Sequence, residues 1–149
     1  MGVIWTALLA ASLVIATVLI HYEVLRATSR FVTKAVIAAR SRILLVLAGI
    51  FTAHLLEVSL YAAAYFLMSD HFGLGSVRGM TGGGFADFFY FSITCYTTLG
   101  LGDVFPSGAM RIVAGIEALN GFVLIGWSTS FTYLAMERFW KEADQPPPA

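Results

Sequence analysis

The chain has 149 residues, of which 58% are hydrophobic and only 12% are charged. A soluble domain carries about 25% charged residues, so this composition and a mean hydropathy of +0.80 predict a membrane protein. The formal net charge is zero, which gives no indication of a nucleic-acid partner. The single cysteine, Cys95, excludes an intrachain disulfide and a zinc site built from thiolates.

The first apolar segment runs from Gly2 to Ile20 without a charged residue and is long enough to cross the hydrocarbon layer. A cleaved signal peptide would have basic residues before the apolar run, whereas the first basic residue is Arg26. We therefore predict a retained transmembrane helix over residues 1–25 and a basic loop over residues 26–42. The positive-inside rule places this loop in the cytoplasm, where it could meet anionic lipids. Its basic residues are Arg26, Arg30, Lys34, Arg40 and Arg42.

Three more apolar segments follow in the chain. Residues 43–68 predict an outer transmembrane helix and residues 110–138 an inner one, each long enough to span with some tilt. Residues 85–97 are too few to cross the membrane and predict a re-entrant helix. A glycine-rich segment over residues 69–84 predicts a flexible extracellular turret, and residues 139–149 a short cytoplasmic tail ending in prolines. The expected fold is therefore all-α, with three transmembrane helices and one re-entrant helix.

The segment "TTLGLGD", residues 97–103, follows the re-entrant helix. Irregular backbone at membrane depth is tolerated only where it is buried in protein or lines a water-filled path. Gly100 and Gly102 can take positive φ at alternating positions, which allows an extended strand to turn its carbonyls to one side. Carbonyl oxygens arranged in this way can replace the hydration shell of an alkali cation. The Thr98 hydroxyl could also coordinate the cation, while Leu99 and Leu101 would pack behind the strand.

These residues resemble the potassium-channel filter motif Thr-Val-Gly-Tyr-Gly-Asp, and the Val-Phe-Pro that follows resembles the family's continuation of it. The aromatic run "FYFSITCYTT" is similar to the family's pore helix. The resemblance covers residues 43–138 and implies a pore module in which four subunits surround a central ion path. The helix at the N-terminus lies outside that module.

Two positions depart from the family's pattern. Leu99 replaces the usual Val, and Leu101 replaces an aromatic residue that braces the filter by packing and a phenolic hydrogen bond. A leucine at the second position resembles the second pore loop of some two-pore-domain potassium channels. Tyr90 stands where the family often has a Trp that bonds the filter aspartate, so we predict a hydrogen bond from Tyr90 to Asp103.

Four residues within the predicted spans have alternative interpretations. Gly121 resembles the hinge glycine of potassium-channel inner helices, but a glycine can equally permit close helix packing. His54, Glu57 and Glu117 are ionisable residues at membrane depth, where such residues are costly. They could form a proton-sensitive cluster behind the filter or a fixed polar contact between helices. A metal site made from one His and two Glu has no recognisable ligand spacing here.

The sequence thus predicts a homotetrameric, potassium-conducting channel subunit in a plasma or inner membrane, with its N-terminus outside and its C-terminus cytoplasmic. It needs no cofactor and has no catalytic residue; K⁺ is the permeant ion. The alternatives are a weakly selective or sodium-permeable channel, a non-conducting scaffold or sensor, and an intramembrane enzyme. The gating stimulus and any regulatory subunit are not predicted. The expected ion ligands are Thr98, Leu99, Gly100, Leu101 and Gly102, with Thr97 as support behind the filter and Asp103 at the outer mouth.

Overall fold

The computed structural model describes residues 2–35 and 37–143. Within those ranges the elements in chain order are α1 Gly2–Lys34, α2 Ala39–Asp70, β1 Val77–Arg78, α3 Phe85–Tyr96, β2 Phe105–Pro106 and α4 Met110–Ala143. The helices α1, α2 and α4 are long and apolar enough to cross a membrane. The 12 residues of α3 span only about 18 Å at 1.5 Å per residue. The all-α membrane fold is therefore confirmed.

The predicted basic loop over residues 26–42 is wrong for most of its length. Helix α1 continues to Lys34, and α2 already begins at Ala39. The segment contains neither glycine nor proline and is rich in Ala, Arg and Lys, which are strong helix formers. At 33 residues α1 is about 50 Å long, more than the roughly 30 Å of the hydrocarbon layer. Three basic residues of the segment therefore lie on the helical extension of α1, and Arg40 and Arg42 lie on α2.

The other boundaries differ less from the predicted ones. Helices α3 and α4 begin at residues 85 and 110, as predicted, and α3 ends one residue before the predicted residue 97. Helix α4 passes the predicted end at 138 and continues to Ala143, while the closing prolines lie outside the described residues. Arg42 donates to Glu142 over 2.8 Å and stacks on the Phe139 ring, so the start of α2 contacts the end of α4.

Helix α1 packs closely against the helices of the predicted pore module. A Cβ atom built on Gly49 of α2 would lie 2.3 Å from the Thr28 hydroxyl of α1, so the glycine permits the close approach. Further along, the Asn120 amide of α4 donates to Thr17 of α1 over 2.8 Å and to the Tyr61 hydroxyl of α2 over 3.3 Å. Both contacts are buried, so α1 is an integral part of the subunit.

A short ribbon joins the turret to the residues that follow the filter. Strand β1 pairs antiparallel with β2, with Val77 opposite Pro106. Beside the ribbon, the Ser107 amide donates to the Ser76 carbonyl over 2.8 Å. Gly79 has a φ of +87°, and a Cβ there would lie 2.0 Å from the Asp103 carbonyl oxygen. Backbone hydrogen bonds to the residues after the filter therefore give this part of the turret a defined structure, and its predicted flexibility stays a prediction.

The largest buried core lies where α2, α3 and α4 meet. It is rich in aromatic side chains, and Tyr65 packs edge-on against Phe91 with ring centroids 4.9 Å apart. Phe88 packs in the same way against Phe66 over 5.7 Å. Such pairs add about 0.5–1.5 kcal/mol each beyond the burial of their area. This aromatic core positions the short helix α3, and with it the segment that follows.

The α1–α2 contact at Gly49 is tested by Gly49→Val. The added side chain would collide with the stiff, β-branched Thr28, and overpacking of this kind costs about 1–3 kcal/mol. We expect a lower thermal unfolding midpoint, measured by circular dichroism in detergent micelles. The matched control is Ala48→Val at the exposed neighbouring position, which should leave the midpoint near wild type. Equal midpoints for the two variants would contradict the close contact.

Candidate functional site: the filter loop and its supports

The segment after α3 has left-handed backbone at every second residue. Thr98, Gly100 and Gly102 have φ values of 57°, 49° and 82°. The sequence predicted positive φ at the two glycines but not at Thr98. A β-branched residue at positive φ is strained, and such strain persists only where the surroundings impose it.

Backbone hydrogen bonds connect this loop to the last turn of α3. The Thr98 amide donates to the Cys95 carbonyl over 2.9 Å, and the Leu99 and Gly100 amides donate to the Thr94 carbonyl over 3.0 and 3.3 Å. Among the residues that the structure describes, no carbonyl of residues 98–102 accepts a backbone hydrogen bond. The backbone N–H groups of residues 98–100 therefore point towards α3, and the carbonyl oxygens of the loop are left to bind a cation. The negative end of the α3 dipole lies at the same place and favours a cation.

The predicted brace between Tyr90 and Asp103 is present. The Tyr90 hydroxyl donates to Asp103 Oδ2 over 2.7 Å. This hydrogen bond to a carboxylate raises the pKa of Tyr90, so the phenol stays a donor through the physiological range. At the start of α3, Asp87 accepts hydrogen bonds from the Gly82 and Gly83 amides over 2.9 and 2.7 Å. One carboxylate thus holds the start of α3, and the other connects the middle of the helix to the segment that follows it.

Three predicted filter residues have surroundings that the sequence did not indicate. The Thr97 hydroxyl donates to the Ile93 carbonyl over 2.7 Å and so closes the last turn of α3. Leu99 and Leu101 are 59% and 62% exposed, so neither packs behind the filter within its own subunit. The loop is a single strand at the edge of one chain, and the chain supplies too few atoms there to bury either leucine.

The predicted polar cluster of His54, Glu57 and Glu117 is two separate networks. Glu117 is fully buried and accepts hydrogen bonds from the Ser92 hydroxyl, over 2.6 Å, and from the Tyr65 hydroxyl. It therefore connects α4 to both α2 and α3. The two networks are separate because they contact α3 at different places. Glu117 contacts Ser92 in the middle of α3, whereas His54 and Glu57 contact Tyr96 at its end.

The second network includes a residue that sequence reasoning missed. His21 of α1 is fully buried and its Nδ1 atom lies 2.9 Å from Glu57 Oε1. His54 Nδ1 lies 2.8 Å from the Tyr96 hydroxyl, which donates to Glu57. Ser128 of α4 contacts both histidines. A histidine just after an uncharged apolar run was the available signal, because an ionisable residue inside a span usually has a partner on another helix.

Gly121 lies where α4 crosses the end of α3. A Cβ atom there would be 2.2 Å from the Tyr96 carbonyl oxygen, so the glycine allows the close crossing. Helix α4 is continuous through this position. The packing interpretation is therefore confirmed, and a hinge at Gly121 stays a prediction.

A family model described as ion channel matches residues 42–138, which is more than half of the chain. The chain belongs to the ion channel family. The matched region contains α3, the filter loop and most of α2 and α4, whereas α1 lies outside it. Comparisons with curated proteins and with solved structures gave no match. Family membership indicates a multi-pass membrane protein that transports ions rather than an enzyme.

The brace at the outer mouth is tested by Tyr90→Phe, which removes the hydroxyl that donates to Asp103. We expect faster inactivation and a lower single-channel conductance, because the loop loses the side-chain hydrogen bond that connects Asp103 to α3. Planar-bilayer recordings measure both quantities. Tyr22→Phe, on the exposed face of α1, is the control and should behave as wild type. Unchanged gating and conductance in Tyr90→Phe would show that the brace is unimportant.

The Glu117 network is tested by comparing Glu117→Leu with Glu117→Gln. Leucine leaves the buried Tyr65 hydroxyl without its acceptor, and an unsatisfied buried polar group costs about 1–3 kcal/mol. Glutamine keeps one acceptor oxygen and should fall between Glu117→Leu and wild type. The measurement is the thermal unfolding midpoint in detergent. If the leucine variant melts at the wild-type temperature, Glu117 does not stabilise the packing of α3.

Proposed function

We propose that the chain is a subunit of a homotetrameric channel that conducts K⁺ through the backbone carbonyls of residues 98–102. The observation that carries the proposal is the alternation of positive φ at Thr98, Gly100 and Gly102. Alternating backbone of this kind is what a strand needs to present successive carbonyls to one axis. The free acceptors and the α3 dipole support the same interpretation.

One such strand cannot enclose an ion, so conduction requires several copies around an axis. The exposed apolar residues of the filter loop and of α4 are consistent with neighbouring subunits and lipid as partners. Examples are Leu99, Leu101, Leu119 and Phe122, which are all more than half exposed. In the assembled pore, ions would exchange water for carbonyl oxygens, occupy successive sites and leave by mutual repulsion. Asp103 would attract cations at the outer mouth.

A weakly selective cation channel is the second candidate. A cavity of about 440 Å³ lies behind the loop, between α3 and α4, and Leu101, Cys95 and Ala114 are among its lining residues. An aromatic residue in place of Leu101 would fill more of this space and could reach a polar partner. Because the loop has room behind it, the ring of carbonyl oxygens that it forms with its neighbours can change diameter. Selectivity for K⁺ over Na⁺ that depends on a narrow ring would then decrease.

We further propose the orientation and the surroundings of the subunit. The basic residues at the end of α1 and the start of α2 favour a cytoplasmic connection between them. The N-terminus and the filter mouth are then outside and the C-terminus is cytoplasmic, in a plasma or inner membrane. Anionic lipids are the expected partners of the basic helix ends.

The proposed function is tested by potassium efflux from liposomes that contain the purified protein. Gly100→Ala should reduce the flux at least about tenfold, because a left-handed non-glycine residue costs about 1–2 kcal/mol and distorts the carbonyl array. Gly73→Ala is the matched control: Gly73 has a similar φ of +56°, equally open surroundings and a place in the turret. Equal losses in both variants, or no flux from wild type, would contradict the proposal and favour a scaffold.

A further inference from the structure

Two histidines and a glutamate meet inside the subunit, beside Tyr96 at the end of α3. His21 of α1 and His54 and Glu57 of α2 can each offer one ligand atom, and these atoms lie within 4.8 Å of one another. His21 and Glu57 are fully buried, and the two imidazole centroids are 5.2 Å apart. Ionisable groups are costly at this depth unless they are paired or bind a cation.

The hydrogen-bond network around these groups lacks one proton. With an ionised Glu57, the two neutral imidazoles, the Tyr96 hydroxyl and the Ser128 hydroxyl carry one donor proton each. Five contacts each need a proton: His21–Glu57, His54–Tyr96, Tyr96–Glu57, and those from Ser128 to the Nε2 atom of each histidine. The longer contact of His54 Nδ1 with Glu57 Oε2, over 3.3 Å, can share the proton of the His54–Tyr96 contact. One contact is therefore left with two facing lone pairs. The network is complete only with one additional cation.

We propose that His21, His54 and Glu57 bind one Zn²⁺ ion per subunit. Two imidazoles and one carboxylate are a known zinc ligand set that leaves a fourth position open. Imidazole ligands favour zinc over magnesium or calcium, which prefer oxygen ligands. With Glu57 ionised and both imidazoles neutral, the ion and its ligands have a net charge of +1.

Ser128 holds both histidines in the required tautomer. Its Oγ atom lies 3.2 Å from His21 Nε2 and 3.0 Å from His54 Nε2. A hydroxyl oxygen can accept two hydrogen bonds, so both Nε2–H groups can donate to it. The two Nδ1 lone pairs then face Glu57, which is the side on which the ion would be bound. Metal-ligating histidines usually have such a partner on the second nitrogen.

Binding requires only a small rearrangement of the cluster, in which the closest pair separates slightly and His54 moves inward. Ligand atoms about 2.0–2.1 Å from a tetrahedral ion are about 3.3 Å apart, compared with the 4.8 Å that bounds the present separations. His21 Nδ1 and Glu57 Oε1 are already within 2.9 Å. Rotation of the His54 ring, which is 19% exposed, can supply most of the remaining movement.

The site is open to a cavity of about 660 Å³ between α2, α3 and α4. His54, Tyr96 and Ser128 are the polar groups nearest the site on its wall. His54 therefore joins the cavity wall to the cluster, so an ion bound there would have one ligand on that wall. Once bound, it would hold α1, which lies outside the family match, on the pore module. The proposal does not depend on K⁺ selectivity or on conduction.

The test is zinc binding by the purified full-length wild-type protein in detergent, measured by equilibrium dialysis against ZnCl₂ with metal analysis. The chain has three histidines, and the exposed His71 of the turret provides the matched control. We expect one zinc per subunit, at least about 100-fold weaker binding in His54→Gln, and unchanged binding in His71→Gln. Ser128→Ala keeps all ligands and should weaken binding about 10- to 100-fold.

A second measurement does not depend on variants that fold. Wild-type protein loaded with Co²⁺ should give the intense visible absorption of a four-coordinate site, and added Zn²⁺ should abolish it. No zinc bound to wild type, or binding that is lost in His71→Gln but not in His54→Gln, would overturn the proposal.

Discussion

The structure depends on one constraint: a stretch of irregular backbone at membrane depth has to be held in a fixed shape by protein. The filter loop satisfies it by donating the amides of Thr98, Leu99 and Gly100 to the last turn of α3. The strain at Thr98 persists because its surroundings impose it, and α3 does so through these hydrogen bonds. The rest of the subunit must therefore hold this 12-residue helix in place.

Two buried polar networks and one close helix crossing hold α3 in place. Glu117 connects α4 and α2 to Ser92 in the middle of α3, and Glu57 connects α2 and α1 to Tyr96 at its end. The close crossing at Gly121 brings α4 against the same end. In lipid, where apolar packing alone does not distinguish one helix arrangement from another, such hydrogen bonds select a single one.

The spans, the short helix α3 and the positive φ of Gly100 and Gly102 were predictable because their signals are local: apolar length and paired glycines. The Tyr90–Asp103 bond followed from a family resemblance and was confirmed. What the sequence could not show depends on pairing between distant segments. His21 and Glu57 are 36 residues apart, and the ribbon pairs Val77 with Pro106. The loop predicted over residues 26–42 is wrong for another reason: basic residues end an apolar run without ending a helix, because Arg and Lys are good helix formers.

The central claim is that the filter loop selects K⁺. The most direct test is the reversal potential of the purified wild-type protein in a planar bilayer, with KCl on one side and NaCl on the other. A selective filter predicts a large potential, positive on the sodium side, that moves with the potassium gradient. A potential near zero with robust current would contradict K⁺ selectivity and would establish a non-selective cation pore.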